Sequence, residues 1–279
     1  MEKLSCIILN YNTSEMTHKV VAGFTTAAEK FPHEIIVIDN GSTEILSEFF
    51  NEGVTVIKNQ HNLGFAAGVN QGLKIVTGDY ILLLNSDVFI DEKTIISMIN
   101  YLENNPSVGI VGPMMVFPKG DFQASAGFFP TIWREILRFS TLGKYISGGT
   151  LLYRNKQTEK QFSQPIQVDW VSGGCMLIKK QVVEKIGFFD SRYFFSIEDL
   201  DFCFRSLQNN FLVTYLPTVS VVHYHGLSSG GHGSAYSLKQ EKISMNLFLQ
   251  KYFSSKIFFK YIYNFLSRIK IFIFEKIYK

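Results

Sequence analysis

Near the N-terminus four short apolar runs, Ser5 to Leu9, Glu34 to Ile38, Val54 to Lys58 and Tyr80 to Leu84, alternate with stretches of helical character at Glu15 to Ala28, Thr43 to Phe50 and Ala67 to Val76. Strands this apolar are buried on both faces, which a mainly parallel sheet covered by helices on each side provides. The chain is therefore expected to be α/β. In such sheets ligands gather beyond the carboxyl ends of the strands. Polar clusters follow three of these strands directly: Asn10-Tyr11-Asn12, Asp39-Asn40-Gly41-Ser42 and Asn85-Ser86-Asp87. They are expected to converge at one edge.

Further along, Asp91 to Glu103 reads as a helix with Asp91 as its N-cap, closed before Asn104-Asn105-Pro106, and Val108 to Met115 as a strand. Phe117 to Gln167 is rich in Gly, Ser, Thr, Phe and Gln with weak periodicity, and is expected to be a mobile, substrate-shaping insertion. Strands are expected at Val168 to Lys179, Leu212 to Leu216 and Val219 to His225, with helices at Gln181 to Ile186 and Glu198 to Asn209. The expected organisation is a nucleotide-binding half over 1–116, an acceptor-binding and catalytic half of the same domain over 117–237, and a basic, aromatic helical tail over 238–279.

Composition narrows the function classes. With 46% hydrophobic and 18% charged residues, the 279-residue chain is neither disordered nor a solvating polyelectrolyte. Cys6, Cys175 and Cys203 are far apart and never form a CxxC pair, so a disulfide framework and a zinc finger are both unsupported and a reducing compartment is expected. The apolar run at the N-terminus is shorter than the roughly 7 to 15 residues of a signal-peptide core, so a cytoplasmic N-terminus is expected. No membrane span is expected either: Ile257 to Phe274 is interrupted by Lys260, Asn264, Arg268 and Lys270, against the roughly 18 apolar residues a spanning helix needs. A net charge of +3 does not point to nucleic acid. The charge is concentrated instead, with seven basic residues and one acid, Glu275, from Lys251 to the end.

Four segments carry residues suited to chemistry. Asp39 ends an apolar strand, where a carboxylate can accept hydrogen bonds from a nucleobase or ribose; a turn with a helix cap explains Asp-Asn-Gly-Ser equally well. Asn62 to Gly72 places Gly64, Gly68 and Gly72 at spacing four before a helix, which suits either an approaching diphosphate or close helix packing, and departs from Rossmann and P-loop spacings. Asp87 supplies a hard oxygen ligand for Mg²⁺ or Mn²⁺ and needs a second ligand, sought at His223 or His225. Glu198, Asp199 and Asp201 crowd three carboxylates into four positions, either as a general base with its support or as acids favoured by a helix N-terminus.

Taken together, Ile-Ile-Leu-Asn-Tyr-Asn at 7–12, Val-Ile-Asp-Asn-Gly-Ser at 37–42, Asn62 to Gly72, Leu-Leu-Leu-Asn-Ser-Asp at 82–87, Val-Ser-Gly-Gly-Cys-Met-Leu-Ile at 171–178, Phe-Phe-Asp at 188–190 and Glu-Asp-Leu-Asp at 198–201 resemble the family-2 inverting glycosyltransferases, in particular their rhamnosyltransferase-like branch. The resemblance covers about residues 4–230 in order. It implies a GT-A fold, a nucleotide-sugar donor and a divalent cation. By motif match Asp39 would bind the base, Asn10, Asn12 and Ser86 would line the nucleotide pocket, and Asn62, Gly64 and Asn70 would lie near ribose and diphosphate. Asp87 would bind the metal together with His223, although Asn85 stands where a full DXD segment has its first aspartate. Asp199 would be the general base, with Glu198, Asp201 and Arg205 holding its loop, and Trp170, Gly173 and Gly174 would shape the sugar and acceptor side. His225 and His232 receive no role.

Lys256, Lys260, Asn264 and Arg268 recur every four residues on a helix otherwise made of Ile, Phe, Tyr and Leu. Such a helix can lie in a membrane interface or dock on protein, either the catalytic domain or a second subunit. The expectation is a cytoplasmic enzyme, peripheral on the inner face of the cell membrane. It would move a sugar, dTDP-rhamnose being the first choice of donor, to a cell-surface polysaccharide or a polyprenol-linked precursor. A metal-dependent nucleotidyltransferase and a catalytically silent nucleotide-sugar-binding scaffold are the alternatives.

Overall fold

A computed structural model describes residues 2–43, 46, 53–139, 151–154, 159–224, 235–254 and 257–277. The first half contains β1 (Leu4–Asn10), α1 (Ser14–Ala27), β2 (His33–Asp39), β3 (Val54–Lys58), α2 (Phe65–Leu73), β4 (Tyr80–Asn85), β5 (Val88–Phe89), α3 (Glu92–Asn104) and β6 (Val108–Val116). The second contains β7 (Phe122–Gln123), β8 (Ala126–Gly127), α4 (Ile132–Phe139), β9 (Ile166–Val168), β10 (Trp170–Val171), β11 (Cys175–Lys179), α5 (Lys180–Ile186), α6 (Glu198–Gln208) and β12 (Leu212–His223), followed by α7 (Ala235–Tyr252) and α8 (Ile257–Ile277).

The main sheet runs β3-β2-β1-β4-β11-β6-β12-β5. Pairings β1·β2, β1·β4, β2·β3 and β6·β12 are parallel, while β11 runs against both β4 and β6. The chain moves outward from β1 through β2 to β3, then returns to place β4 on the other side of β1. That reversal opens the crevice at the carboxyl ends of β1 and β4 where open α/β sheets bind ligands. Register brings Asn10 level with Asp39 and Leu9 level with Asn85, so the three polar clusters do share one edge.

Alternating strand residues feed opposite cores, as the two-residue period of a strand dictates. Leu4, Cys6 and Ile8 face α1 and α3, where Val20, Val21, Phe24, Met98 and Leu102 complete one layer. Ile7, Ile36 and Ile38 face α2 and the α5–α6 side with Ala66, Val69, Val182 and Phe202. Gly68 and Gly72 serve this packing, because a Cβ there would lie 2.5 Å from Leu9 Cδ1 and 2.9 Å from Ile7 Cγ2. Asp91 caps α3 as expected, accepting from the Thr94 amide at 2.8 Å, an interaction worth about 1 kcal/mol.

Several elements differ from the expectation. The strand expected over Val168 to Lys179 is split between β9, β10 and β11, by a bend at Asp169 and by the turn at Gly173-Gly174. The two expected strands after α6 are one, β12, which carries an irregularity between Leu216 and Ser220 and so accommodates Pro217 without a break. The described part of Phe117 to Gln167 holds β7, β8, α4 and β9, and pairing pins its strands to β6, β10 and β12. Most of the helix expected over Thr43 to Phe50, together with His225, His232 and Lys256, lies outside the described residues.

The tail docks on the second half, against the loop before α6 and the start of α6. Met245, Phe248 and Leu249 of α7 and Phe259 and Tyr263 of α8 form a third buried cluster with Tyr193, Ile197 and Leu200. Asn264, one of the four polar residues recurring at spacing four, exchanges amide hydrogen bonds with Asn246 of α7 at 2.9 and 2.8 Å. No helix among the described residues is long and apolar enough to cross a membrane.

Candidate active site

At the β1–β2 edge Asn10 is fully buried and its amide is used within the protein. Its Oδ1 accepts from the Thr13 and Thr17 hydroxyls at 2.9 and 2.7 Å, and its Nδ2 donates to Ser42 Oγ at 2.9 Å and to Asp39 Oδ1 at 3.4 Å. Asp39 Oδ1 also accepts from the Ser42 amide at 3.1 Å. The other oxygen, Oδ2, is buried and has no hydrogen-bond partner among the described residues. An ionised oxygen left so is costly. It suits a ligand N–H or O–H that arrives with the substrate.

Neighbouring residues frame that edge. Asn12 adopts φ 53°, and its side-chain oxygen accepts from Thr43 N at 2.9 Å. Ser86 is buried with its hydroxyl 2.9 Å from that of Thr13. Asn62 Oδ1 accepts from Gly64 N and from Asn40 Nδ2, at 2.8 and 3.0 Å. Gly64 stands at φ 83°, and a Cβ there would lie 2.5 Å from the Phe194 carbonyl oxygen. Asn70 is committed elsewhere, exchanging hydrogen bonds with the Phe189 backbone at 2.8 and 2.9 Å. It fastens α2 to the second half.

Asp87 and His223 meet although they lie far apart in the chain. β5 pairs with the end of β12, His223 opposite Val88, and this sets His223 Nε2 3.2 Å from Asp87 Oδ1 with both side chains buried. The opposite ring nitrogen, Nδ1, lies 3.1 Å from Gln123 Oε1 on β7. A carbonyl oxygen only accepts, so Nδ1 carries the proton and Nε2 presents its lone pair, or a second proton, to the carboxylate. An imidazole lone pair and a carboxylate converging with a fixed outer tautomer fit a divalent cation that takes its remaining ligands from phosphate and water. Among the described residues no third His, Cys, Asp or Glu joins them.

A cavity of about 480 Å³ opens beside this edge, walled by Phe65, Asn85, Gly173, Gly174, Glu198 and Asp199. Asp199 is held in place by amides: Gly173 N donates to its Oδ2 at 3.1 Å and Leu200 N to its Oδ1 at 2.8 Å. Burial raises its carboxyl above the ordinary aspartate value of 3.8, against the pull of those amides. Burial, and then the charge of Asp199, pushes Glu198 well above the carboxylate range, and Glu198 Oε2 has no hydrogen-bond partner among the described residues. Burial thus raises both carboxyls, and Glu198 is raised further by the charge of Asp199, while the Gly173 and Leu200 amides draw Asp199 back toward the charged form.

The loop before α6 is strained, with Ser196 at φ 65° and Ile197 at φ 74°. Left-handed backbone costs on the order of 1–3 kcal/mol per residue, most for a β-branched side chain. What holds it is tertiary: Phe194 O accepts from Phe65 N at 3.1 Å, and Ser244 Oγ of α7 donates to Phe195 O at 2.8 Å. Asp201, fully buried, accepts from Arg205, Lys251, Tyr193 and Tyr252. Arg205 also donates to the Ile186 and Phe188 carbonyls. Asp201 and Arg205 are therefore the scaffold under Glu198 and Asp199.

Trp170 differs from the expectation. Its indole N–H donates to the Phe128 carbonyl at 3.3 Å, its ring packs among apolar residues, and it is not among the residues lining the cavity. The aromatic walls are Phe65, Phe195 and Phe274 instead. Sequence reasoning also missed Gln123, which no local motif marks, and Lys270, Phe274 and Glu241, which the tail brings to the cavity. Asn40 was quoted in its motif without a role; it bonds Asn59, Asn62, Leu63 and Gly64 and so ties the glycine loop to β2.

Residues 5–187 match the model of glycosyl transferase family 2. The chain belongs to that family. It is similar to the N-acetylglucosaminyl-diphospho-decaprenol L-rhamnosyltransferase of Mycobacterium tuberculosis, at 26% identity over 243 residues that cover 81% of this chain and 78% of the relative. It is also similar to the Escherichia coli rhamnosyltransferase WbbL, at 24% identity over 230 residues that cover 78% and 82%. Among solved structures, GalNAc-T7 with UDP, GalNAc and Mn²⁺ matches with a TM-score of 0.62 at 17% identity, over 86% of this chain and 47% of that one. The Pyrobaculum calidifontis mannosyltransferase PcManGT with GDP-Man and Mn²⁺ matches at 0.58 and 15% identity, over 88% and 62%. The fold is GT-A and the protein is a glycosyltransferase.

Proposed function

We propose that this glycosyltransferase inverts configuration at the sugar it transfers, taking rhamnose from dTDP-rhamnose and adding it to a polyprenol-linked saccharide on the cytoplasmic side of the membrane. The observation that carries the reading is the setting of Asp199: a carboxylate on the wall of the cavity, aimed by the Gly173 amide and raised by burial. Such a group takes the proton from an acceptor hydroxyl as that oxygen bonds to the anomeric carbon and the bond to the nucleoside diphosphate breaks. Attack from the face opposite the leaving group inverts the centre. Glu198, whose carboxyl burial and the charge of Asp199 raise, lines the same cavity beside that base.

Asp39 Oδ2 receives the base or ribose, and Asn10 and Ser42 hold that carboxylate in orientation. Asp87 and His223 would hold a divalent cation, Mg²⁺ or Mn²⁺, which when bound offsets charge on the departing diphosphate. Rhamnose rests on the names of the two relatives, and the polyprenol-linked acceptor on that of the mycobacterial one. A silent scaffold would not require a carboxylate positioned and raised in this way.

The test is incubation of the purified protein and Mn²⁺ with dTDP-rhamnose and a short-chain polyprenyl-diphospho-N-acetylglucosamine, with the product anomer read by NMR. Transfer with inversion is expected. Retention of configuration would remove the single-displacement reading, and transfer from a different sugar nucleotide alone would replace the donor.

A further inference from the structure

The outward face of α8 is inverted relative to an ordinary surface helix. Phe258, Tyr261, Phe265 and Phe272 are each more than 60% exposed, while its inward side carries Phe259, Tyr263 and Ser267. At 100° per residue those four side chains, with Ile269, fall on one stripe, opposite Lys270 and Phe274 at the cavity. α4 packs on α8 and leaves Trp133 exposed beside it.

Along this stripe α7 and α8 enclose a groove of about 450 Å³. Its lining is amphiphilic, with Ile243, Ile271 and Phe272 next to Lys239, Lys242 and Arg268. Lys239 is paired with Glu275 at 2.7 Å. Lys242 and Arg268 have no acidic partner among the described residues; burial, and then the like charge of Arg268, lowers the Lys242 ammonium. With Glu275 engaged by Lys239, the two neighbouring cations Lys242 and Arg268, beside apolar side chains, are the complement of a phosphate attached to a hydrocarbon chain.

We propose that the α7–α8 groove is a lipid-headgroup site: Lys242 and Arg268 take the phosphate of an anionic membrane lipid while Phe258, Tyr261, Phe265 and Phe272 enter the interfacial layer of the bilayer. α8 then lies between bilayer and cavity, its other side contributing Lys270 and Phe274 to the place where a lipid-linked acceptor must present its hydroxyl. The inference deepens the acceptor reading above and rests on it for its purpose.

Flotation of the full-length protein with phosphatidylcholine vesicles, with and without phosphatidylglycerol, tests it. Binding only to the anionic vesicles is expected, weakened by salt. Each of Lys242→Ala and Arg268→Ala should weaken it by roughly fivefold, and Phe265→Ser with Phe272→Ser should abolish it. Anionic-vesicle binding unchanged in these variants overturns the proposal. So does a Lys242-dependent thermal shift with inorganic pyrophosphate in a protein that does not float, which makes the groove a soluble-anion site. A dimer in light scattering that Phe265→Ser and Phe272→Ser dissociates, with no flotation, makes the face a self-interface and overturns it too. Nucleoside diphosphate binding with Mn²⁺ should be the same in every variant; its absence from the wild type would count against the donor reading and leave the vesicle result standing.

Discussion

His223 faces Asp87 across 3.2 Å because the two-residue strand β5 pairs with the end of β12, while Gln123 fixes the far side of the imidazole. The pair is assembled from three separate stretches of chain. Its geometry makes the contact with Gln123 as much a part of the arrangement as the contact between Asp87 and His223.

Replacing Gln123 by Leu should therefore weaken Mn²⁺ binding by about 10- to 100-fold, the usual cost of losing a partner that orients a metal-binding histidine. Titration of free Mn²⁺ by electron paramagnetic resonance measures this without turnover. An unchanged affinity would mean that Gln123 does not set the tautomer.

Asp199→Asn should lose about 10²- to 10⁴-fold in the rate of transfer while still binding nucleotide, as removal of a general base does. Glu198→Gln should keep most of the activity, because burial and the charge of Asp199 disfavour the ionised form of Glu198 and the amide keeps the size of the neutral one. Single-turnover transfer by both variants decides the roles; a Glu198→Gln enzyme as damaged as the Asp199→Asn enzyme would mean that Glu198 works ionised.

The rate should depend on pH through Asp199. A base acts only when deprotonated, and burial raises this carboxyl above 3.8, so the acid limb of kcat/KM should fall at higher pH than an exposed aspartate would give. A limb at or below the ordinary aspartate value would remove the assignment.

Asp39→Asn should reduce nucleoside diphosphate affinity by about 1.5–3 kcal/mol, the worth of a hydrogen bond to a charged group, since the lone Oδ2 is the acceptor left for the ligand. Isothermal titration calorimetry reads the loss. Melting temperature should change little, because Asn10 and Ser42 can still bond an amide oxygen.

Lys251 ties α7 to Asp190 and Asp201 at 2.8 and 2.7 Å. Lys251→Met should cost about 1–3 kcal/mol of stability in urea unfolding by stripping a partner from the buried Asp201 and from the part-buried Asp190. Arg192, and against burial also Lys251, holds Asp190 well below the ordinary carboxylate range. Stability from that lowering is present above the ordinary value of 3.8 and lost as pH falls toward the depressed one, so the variant should lose less on acidification than the wild type.

The strands, the edge where their polar ends meet, the α3 cap and the carboxylate cluster at 198–201 were legible in the chain because each depends on neighbours within a few residues. Apolar runs of strand length bury both faces wherever they occur, and the residue after the run is then at the sheet edge. The glycines at 64, 68 and 72 were legible as positions of close approach, but not as to what approaches. Leu9 and Ile7 meet the last two, and the Phe194 carbonyl meets the first.

What only the tertiary structure decided are the pairings between distant segments. Asn70 and Trp170 carry polar groups that suit a ligand, yet the fold gives those groups to Phe189 and Phe128. Gln123 has no motif around it and gains a role only where β7 meets the end of β6 near His223. The tail's periodicity showed an amphipathic helix but not which side would be covered; packing on α7 and α4 buried Phe259 and Tyr263 and left Phe265 outside. A local pattern determines which faces of an element are apolar. Which neighbour covers each face, and which polar group is left for a ligand, follows from a free-energy balance over the whole packed chain, and that balance is not a property of any one segment.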